Sequence, residues 1–130
     1  MKYKSKPIRS LKKILWRHFS LFIRRRDFKR GCISCGKHVG SIGQAQAGHY
    51  YSRGAAPQPS LYFSEKNVNL QCVTCNAFQE GNKQGYRMGL IRKYGDQIED
   101  ELLIIKKLSS KWSHFEYETM IKYYKEKNGN

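Results

Sequence analysis

The chain has few acidic residues, few prolines and no long apolar run. Of its 130 residues, 25 are Lys or Arg and 10 are Asp or Glu, so the formal net charge is +15. No apolar stretch approaches the roughly 20 residues that span a bilayer, and we therefore expect no membrane-spanning helix. Proline and glycine are not in excess and aromatic residues make up 13% of the chain, which argues against a disordered tail and indicates a folded domain.

The N-terminus also lacks the pattern of a secretory signal peptide. Its basic residues are followed by no uninterrupted apolar region and no small-residue cleavage site. We therefore expect a cytoplasmic protein, in a reducing compartment where cysteines stay as thiols. There, the four cysteines of the chain are expected to bind a metal rather than to form disulfides.

The positive charge is concentrated at the N-terminus. Residues 1–31 hold twelve Lys or Arg and one acidic residue, whereas the rest of the chain has thirteen basic and nine acidic residues. Such a basic segment needs a polyanionic partner, and nucleic acid is the commonest one. The apolar residues of this segment share one helical face: Ile8, Leu11, Ile14, Leu15, Phe19, Phe22 and Ile23. That face could lie on anionic lipid or form core, and we expect core and no membrane partner.

Hydropathy patterning indicates one α+β domain in three parts: a basic N-terminal helix in residues 1–30, a metal-stapled centre in residues 31–83, and C-terminal helices in residues 84–127. The first helix is predicted over residues 8–28. The centre is rich in Gly, Pro, Ser and Asn, with β-like pieces at residues 44–50 and 68–72. Such a stretch buries little apolar surface by itself and needs a staple.

Three helices are predicted after the centre. The first runs from Tyr86 to Tyr94 and is closed by Gly95. The second extends to about Leu108 and opens with a capping box of Asp96 and Glu99. The third opens with the same motif, formed by Ser113 and Glu116. Its apolar face comprises Tyr117, Met120, Ile121 and Tyr124.

The cysteines form two C-x2-C pairs, Cys32 with Cys35 and Cys72 with Cys75. Each pair can wrap two sulfurs around one side of a tetrahedral ion, and together they complete a four-thiolate zinc site. A redox disulfide within one pair is the alternative, but the pattern lacks a thioredoxin-like βαβ setting. A closed site has no open coordination position, so this zinc is expected to be structural. The segment between the pairs, residues 36–71, is longer than the one that separates the cysteine pairs of an ordinary zinc ribbon.

This insert carries a family resemblance. His49 ends the first β-like piece, Asn67 lies in the next loop, and Asn76 directly follows the second cysteine pair. In this order the chain resembles an HNH (ββα-metal) nuclease and, more closely, the NinG/Rap recombination protein family of lambdoid phages. The matching segments are Cys32-Ile-Ser-Cys-Gly36, Ala47-Gly-His-Tyr50, Ala55-Ala-Pro-Gln58, Asn67-Val68, Gln71-Cys-Val-Thr-Cys-Asn76, Gly81-Asn82, Tyr86-Arg87 and Gly89-Leu-Ile-Arg92.

The resemblance implies an HNH core and a phage- or prophage-encoded endonuclease. Its substrate would be branched recombination DNA, such as Holliday junctions and D-loops. His49 would be the general base that takes a proton from water. Asn76 would be a ligand of a catalytic Mg²⁺ or Mn²⁺, and Asn67 would clamp the hairpin that aims His49. A resolvase that cuts two strands symmetrically needs two active sites, which implies a homodimer.

The chain departs from the HNH pattern beside the expected base. Gly48 stands where many HNH nucleases carry a metal-binding Asp or His, and Gln46 stands where related family members can carry an acid. The second protein ligand of the catalytic cation is therefore open, with Glu80 and Asn82 as candidates. Asn76 could also act only as the cap of a following helix.

Four basic residues flank the expected site and are candidates for phosphate contacts: Arg53, Lys83, Arg87 and Arg92. Two other functions fit the same composition. One is a zinc-stapled DNA-binding protein without catalysis, and the departures at Gly48 and Gln46 favour it. The other is a single-strand or RNA-binding module that uses the aromatic residues, although no stacking motif is recognisable.

Overall fold

The structure, a computed structural model, describes residues 3, 5–51, 58–108 and 110–129. Helices flank a two-stranded antiparallel sheet, which confirms the predicted α+β class. The elements in chain order are α1 (Ile8–Asp27), a 3₁₀ turn (Ile42–Gln44), β1 (Gln46–His49), α2 (Pro59–Tyr62), β2 (Val68–Gln71), a π-helical turn (Thr74–Phe78), α3 (Lys83–Tyr94), α4 (Ile98–Lys107) and α5 (His114–Lys127). In the described part of the chain, no helix is long and apolar enough to cross a bilayer.

Helix α1 forms because apolar residues recur at every fourth position, on one face of a 3.6-residue period. Leu11, Leu15, Phe19 and Ile23 are fully buried on that face. They pack against α5 and the hairpin, in a core that also holds Phe63, Val68, Tyr117, Ile121 and Tyr124. Burying each such side chain stabilises the fold by about 1.5–3 kcal/mol. The apolar face of the basic helix is therefore core, as the sequence predicts.

The two strands pair so that Gln46 faces Gln71 and His49 faces Val68. Because successive side chains of a strand point to opposite sides, the hairpin has two distinct faces. The α1 face comprises Ala47, His49, Val68 and Leu70, and the amide face comprises Gln46, Gly48, Asn69 and Gln71. A two-stranded hairpin is marginal by itself. Here α1 covers one face, and the other packs against α3 and the cysteine pairs.

A buried ion cluster ties α1 to the hairpin and to α3. Asp27 is 2% exposed, and its carboxylate accepts hydrogen bonds from Arg26 at 2.8 Å, Lys93 at 2.9 Å and the backbone N–H of Leu70 at 3.1 Å. Burial disfavours this carboxylate, but the hydrogen bond and charge of Arg26, together with Lys93, outweigh burial and hold the pKa of Asp27 below its ordinary value. Asp27 therefore carries its negative charge in the folded protein at neutral pH.

The C-terminal helices follow the prediction except at two starts. Helix α3 begins at Lys83, earlier than the predicted Tyr86, because the Asn82 side chain accepts a hydrogen bond from Gly85 N–H and caps it. The predicted capping box of Asp96 and Glu99 is wrong. Helix α4 begins at Ile98 after Gln97, which provides no side-chain cap.

The capping box of Ser113 and Glu116 is confirmed, with both of its reciprocal hydrogen bonds present. The predicted apolar face of this helix is also confirmed, since Tyr117, Ile121 and Tyr124 are buried. Glu99, freed from capping, accepts a hydrogen bond from the Tyr50 hydroxyl instead. The short helix α2 and the π-helical turn were not predicted, because neither is long enough to show a periodicity.

Candidate active site and metal centre

The four cysteines come together at one end of the hairpin. The first pair lies in a tight turn after α1, where Cys32 N–H donates to Lys37 O and Gly36 N–H donates to Cys32 O. Gly31 permits this turn, because its φ is +84° and a Cβ there would lie 2.8 Å from Lys37 O. The second pair follows β2 directly, and Cys75 N–H donates to Cys72 Sγ at 3.5 Å.

The sulfur positions suit one metal ion. All four Sγ atoms lie within 4.8 Å of one another, and Cys35 Sγ is 3.8 Å from Cys72 Sγ. Four thiolates about 2.3 Å from a central ion would be separated by about 3.8 Å. The cysteines form no disulfide. The four-cysteine group predicted from the sequence is therefore assembled and could hold a structural metal.

Without a cation, burial disfavours the charged thiolate form of these cysteines. Burial raises the pKa of Cys32, and it raises the pKa of Cys75 to about 12. A bound metal ion reverses this effect, since a coordinating thiol is deprotonated outright. Asn82 Nδ2 donates to Cys75 Sγ at 3.3 Å, a hydrogen bond that favours the thiolate. The donor set therefore fits a thiolate-bound metal.

His49 is the last residue of β1 and lies half-buried on the α1 face. Its ring stacks on Trp16, with centroids 5.1 Å apart and an angle of 18°, and it also contacts the Tyr62 ring at 4.4 Å. His49 Nε2 lies 2.9 Å from the carbonyl oxygen of Tyr62. A carbonyl can only accept, so Nε2 carries a proton, and in the neutral form of the ring the lone pair lies on Nδ1. The ring is thus held in the tautomer that a base acting through Nδ1 requires.

Asn67 is fully buried and joins the residues just after β1 to helix α2. Its Nδ2 donates to the carbonyls of Tyr51 and Leu61 at 3.2 and 3.1 Å, and its Oδ1 accepts from Tyr51 N–H at 2.9 Å. The Asn67 carbonyl also accepts from Tyr50 N–H at 2.8 Å. These bonds fix the backbone immediately after His49. All of them are made by the side-chain amide or the main chain of Asn67.

Asn76 lies in the π-helical turn and reaches the amide face of the hairpin. Its Nδ2 donates to Gln46 Oε1, the side chain that stands in place of an acid. The alternative reading of Asn76 as a helix cap is wrong, because Asn82 caps the following helix. Among the described residues, Asn76 Oδ1 accepts no hydrogen bond and lies 3.0 Å from the position that a Cβ on Gly48 would take.

A second amide oxygen lies at the same place. Gln71 is fully buried, and its Nε2 donates to Ser34 Oγ at 2.9 Å and to Gly81 O at 2.7 Å. These bonds point Oε1 towards Gly48, 1.8 Å from the position of a Cβ there. Among the buried side-chain atoms of the described residues, Gln71 Oε1 has no hydrogen-bond partner. Unpartnered amide oxygens therefore converge on Gly48, the residue directly before His49.

The two candidates for a second cation ligand are placed differently. Asn82 uses both ends of its amide, the oxygen to cap α3 and the nitrogen to bond Cys75 Sγ. It therefore belongs to the cysteine centre rather than to a second cation. Glu80 is exposed, with a φ of +51°. No contact in the described structure brings it to the amide oxygens.

The predicted phosphate contacts do not form one cluster. Lys83 lies beside the site, where its Nζ donates to His49 O at 3.1 Å and burial lowers its pKa. Arg87 forms an ion pair with Glu99 that offsets its charge. Arg92 lines a separate cavity of about 270 Å³ near Cys32. Arg53 lies outside the described residues.

Sequence reasoning missed three contributors to this site and the contact made by a fourth. Gln71 carries the unpartnered oxygen, and strand alternation from Asn69 could have placed it on the same face. Trp16 and Tyr62 hold the His49 ring, and nothing in the local sequence indicates either contact. Gln46 was noted only as a missing acid, whereas the structure joins it to Asn76.

Comparison with known proteins identifies relatives in phages. A family model described as "Bacteriophage Lambda NinG protein" matches residues 1–129. Proteins named "Protein ninG" from Escherichia phage lambda, Salmonella phage P22 and Escherichia phage 933W are each 46% identical over 81 residues. The match covers 62% of this chain and 38% of each relative, so the chain spans well under half of their length. No solved structure is significantly similar to the chain.

Proposed function

Because the chain belongs to the bacteriophage lambda NinG protein family, we propose that it is a metal-dependent endonuclease with an HNH core. Its substrate in this proposal is branched recombination DNA. The observation that carries the proposal is the adjacency of two features. His49 has its tautomer set by the Tyr62 carbonyl, and unpartnered amide oxygens converge on the preceding residue, Gly48.

His49 acts as the general base. Donation from Nε2 to Tyr62 O selects the neutral tautomer whose lone pair lies on Nδ1, the nitrogen that takes the proton from water in this proposal. The stacked Trp16 ring and the Asn67 bonds restrict the orientation of the imidazole and of the backbone that carries it. Such restraint matters because a displacement of about 1 Å at a reacting group can cost on the order of 100-fold in rate.

Asn76 provides an oxygen ligand for a hard divalent cation, Mg²⁺ or Mn²⁺, on the amide face. Such an ion supplies charge neutralisation for the phosphate and the departing oxygen. Adjacent strand residues point to opposite faces, so base and cation ligand lie on opposite sides of the hairpin. In-line displacement places the attacking water and the leaving oxygen on opposite sides of one phosphorus, so both groups would have to reach a single phosphate at the His49 end of β1.

The four-cysteine group holds a structural zinc in this proposal. Two of its ligands, Cys72 and Cys75, lie between β2 and Asn76, so the ion fixes Asn76 relative to the hairpin. The basic surface of α1 and Lys83 beside His49 supply the positive charge that a DNA backbone requires. A symmetric cut of two strands would need a homodimer.

The test is cleavage of a four-way junction and a linear duplex by zinc-loaded protein with Mg²⁺, Mn²⁺ or EDTA. We expect cutting in Mg²⁺ or Mn²⁺ and none in EDTA. His49→Ala should lower the rate by about 100-fold or more, since general-base catalysis contributes 10²–10⁴-fold. The matched control is His114→Ala, because His114 lies at the start of α5, where its ring contacts the carbonyl oxygen of Lys6 and not the hairpin. Cutting that persists in His49→Ala would remove His49 from the mechanism.

A second function is favoured by two observations. The His49 ring is packed between Trp16 and Tyr62, and the amide oxygens near Gly48 carry no formal charge. Both features also suit a zinc-stapled DNA-binding protein without catalysis. In that case the wild-type protein would bind junctions with a strong salt dependence and would leave them uncut in every metal.

A further inference from the structure

A cavity of about 270 Å³ lies where the end of α1, the first cysteine pair and α3 meet. Three cationic side chains line it: Arg30 follows α1, and Arg92 and Lys93 belong to the last turn of α3. Asp27 is the one acidic residue among the described residues around it. Since a water molecule occupies about 30 Å³ in the liquid, this volume has room for a phosphate group.

Close packing of α3 on the first cysteine pair fixes the position of these cations. A Cβ on Gly89 would lie 2.0 Å from the carbonyl oxygen of Ile33, so only a glycine lets the helix approach this closely. Arg92 and Lys93 follow Gly89 by three and four residues, which is about one helical turn. The last turn of α3 is therefore held beside Arg30, which lies two residues before the first cysteine.

Lys93 brings a buried charge to the cavity. Its side chain is 9% exposed, and its Nζ donates to Asp27 Oδ1 at 2.9 Å and to Asn69 Oδ1 at 2.7 Å. An ammonium group has three donors, and no third hydrogen bond of Nζ is made to the described residues. Burial, followed by the charge of Arg26, lowers the pKa of Lys93 to about 8. The ammonium is thus only partly satisfied inside the protein.

The charges around the cavity do not balance. The single carboxylate, Asp27, already accepts hydrogen bonds from Arg26 and Lys93. Arg30 and Arg92 are exposed, and within the described part of the chain neither forms an ion pair. Guanidinium groups bind phosphate through paired N–H donors, and such charge-assisted hydrogen bonds are stronger than neutral ones. The excess positive charge therefore suits an anion with several oxygen acceptors.

We infer that the cavity lined by Arg30, Arg92 and Lys93 binds a phosphate group of the DNA backbone, at a site separate from His49. The two guanidinium groups donate to the phosphate oxygens, and the buried ammonium adds a charge that solvent screens little. The choice of DNA as the source of the phosphate rests on the proposed nuclease function. The phosphate chemistry of the cavity does not.

Helix α3 separates this cavity from the proposed cleavage site. Lys83, at the start of the helix, donates to His49 O, whereas Arg92 lies nine residues later in the same helix. Nine residues are about 14 Å of helix and two and a half turns, so the two positions lie on opposite sides of α3. The phosphate bound at Arg92 therefore belongs to a different part of the DNA from the phosphate that is cut. Such a contact fixes the orientation of the substrate.

The first test is a titration of zinc-loaded protein, labelled with ¹⁵N-arginine, with inorganic phosphate at constant ionic strength. We expect the Nε–H signals of Arg30 and Arg92 to shift at lower phosphate concentrations than those of Arg9 and Arg17, which are exposed on α1. Arg92→Gln should raise the concentration for half of the Arg30 shift about fivefold or more, because a charge-assisted hydrogen bond is lost. Lys122→Gln removes the same charge from an exposed position of α5 and should change it less than about twofold.

The second test measures binding of a four-way junction and a linear duplex over a range of salt concentrations, without Mg²⁺ or Mn²⁺. Each phosphate contact contributes about 0.9 to the slope of log K against log salt concentration for B-form DNA. Arg92→Gln should lower this slope by about that amount, and Lys122→Gln should lower it much less. Both variants should keep the zinc content and amide dispersion of the wild type, because both residues are exposed.

The inference fails if Arg30 and Arg92 respond to phosphate no earlier than Arg9 and Arg17, or if sodium chloride shifts their signals equally. A phosphate response with an unchanged slope in Arg92→Gln would overturn DNA as the source of the phosphate. A lower slope in Arg92→Gln, in a protein that cuts no DNA, would keep this site and remove the nuclease proposal. Cleavage that depends on His49, with an unchanged slope in Arg92→Gln, would do the reverse.

Discussion

The two faces of the hairpin differ in what holds their side chains. On the α1 face, Ala47 and Val68 join the apolar core and His49 is held by aromatic rings. On the amide face, Asn69 and Gln71 are buried by hydrogen bonds to α3, the first cysteine pair and a neighbouring turn. One short sheet therefore combines a surface fixed by packing with a surface fixed by polar contacts.

In the proposed function, this difference lets one small sheet serve two chemical roles. Packing against rings orients an imidazole without adding charge beside it. Hydrogen bonds from Gln71 Nε2 to Ser34 and Gly81 orient the Gln71 side chain, so its Oε1 faces Gly48. Because strand neighbours alternate in direction, the proposed base His49 and Gly48, against which the amide oxygens lie, are one residue apart in sequence and on opposite faces of the hairpin.

The largest effect is expected from removing the four-cysteine centre, which supports the amide face of the hairpin. Cys72→Ser should abolish metal binding and unfold the centre, since structural zinc contributes about 10–16 kcal/mol to folding in small domains. Zinc content and the dispersion of amide signals would measure this. The control is Val73→Ser at the neighbouring, exposed position. A Cys72→Ser protein that stays folded and zinc-loaded would contradict the four-thiolate centre.

A smaller effect is expected where the two faces are tied together. Asp27→Asn removes the charge that joins α1, β2 and α3, and we expect a loss of about 3–5 kcal/mol in the free energy of unfolding. The exposed Asp100→Asn is the control. Denaturant unfolding with zinc in excess measures both.

The same residue predicts a pH dependence with a defined sign. The pKa of Asp27 is lower in the folded protein than its ordinary value. Its contribution is therefore complete above the ordinary carboxyl range, near pH 4, and is lost as pH falls through the folded pKa. Wild-type stability should fall with acid more steeply than that of Asp27→Asn, and equal slopes would show that Asp27 is not the group responsible.

The smallest effect is expected on the α1 face. Trp16→Leu removes the ring stacked on His49, which should cost about 0.5–1.5 kcal/mol beyond the loss of buried area. It should lower the cleavage rate and leave the response to Mn²⁺ unchanged. Trp112→Leu is the matched control, because Trp112 stacks on Phe63 in the same core without contacting His49. Equal cleavage rates in the two variants would separate Trp16 from the function of His49.

The helices and the cysteine group could be predicted because their signals are local. Leu11 and Leu15 recur with the helical period, and each cysteine pair needs only a C-x2-C turn. The capping box at Asp96 was wrong because its pattern ignores how the chain leaves Gly95, whose φ is +99°. A local sequence motif predicts a helix start reliably only where the neighbouring residues leave the backbone in its usual conformation.

The site was predictable only through family resemblance, and then only in part. His49, Asn67 and Asn76 follow a known order of residues, whereas the roles of Gln71 and Trp16 depend on register and helix placement. The unpartnered oxygen of Gln71 exists because Gly48 lies diagonally across the hairpin from it. The sequence alone does not give the distance between Gly48 and Gln71 Oε1, because it depends on how the two strands pair.

The central claim is that base and cation act from opposite faces of one hairpin, and the Mn²⁺ dependence of junction cleavage tests it most directly. His49→Ala should lower the maximal rate and leave the Mn²⁺ concentration for half-maximal cleavage unchanged. Asn76→Ala should raise that concentration and keep the zinc content of the wild type. If both variants change the same parameter in the same way, or if the wild-type protein leaves the junction uncut, the division of roles between the two faces is contradicted.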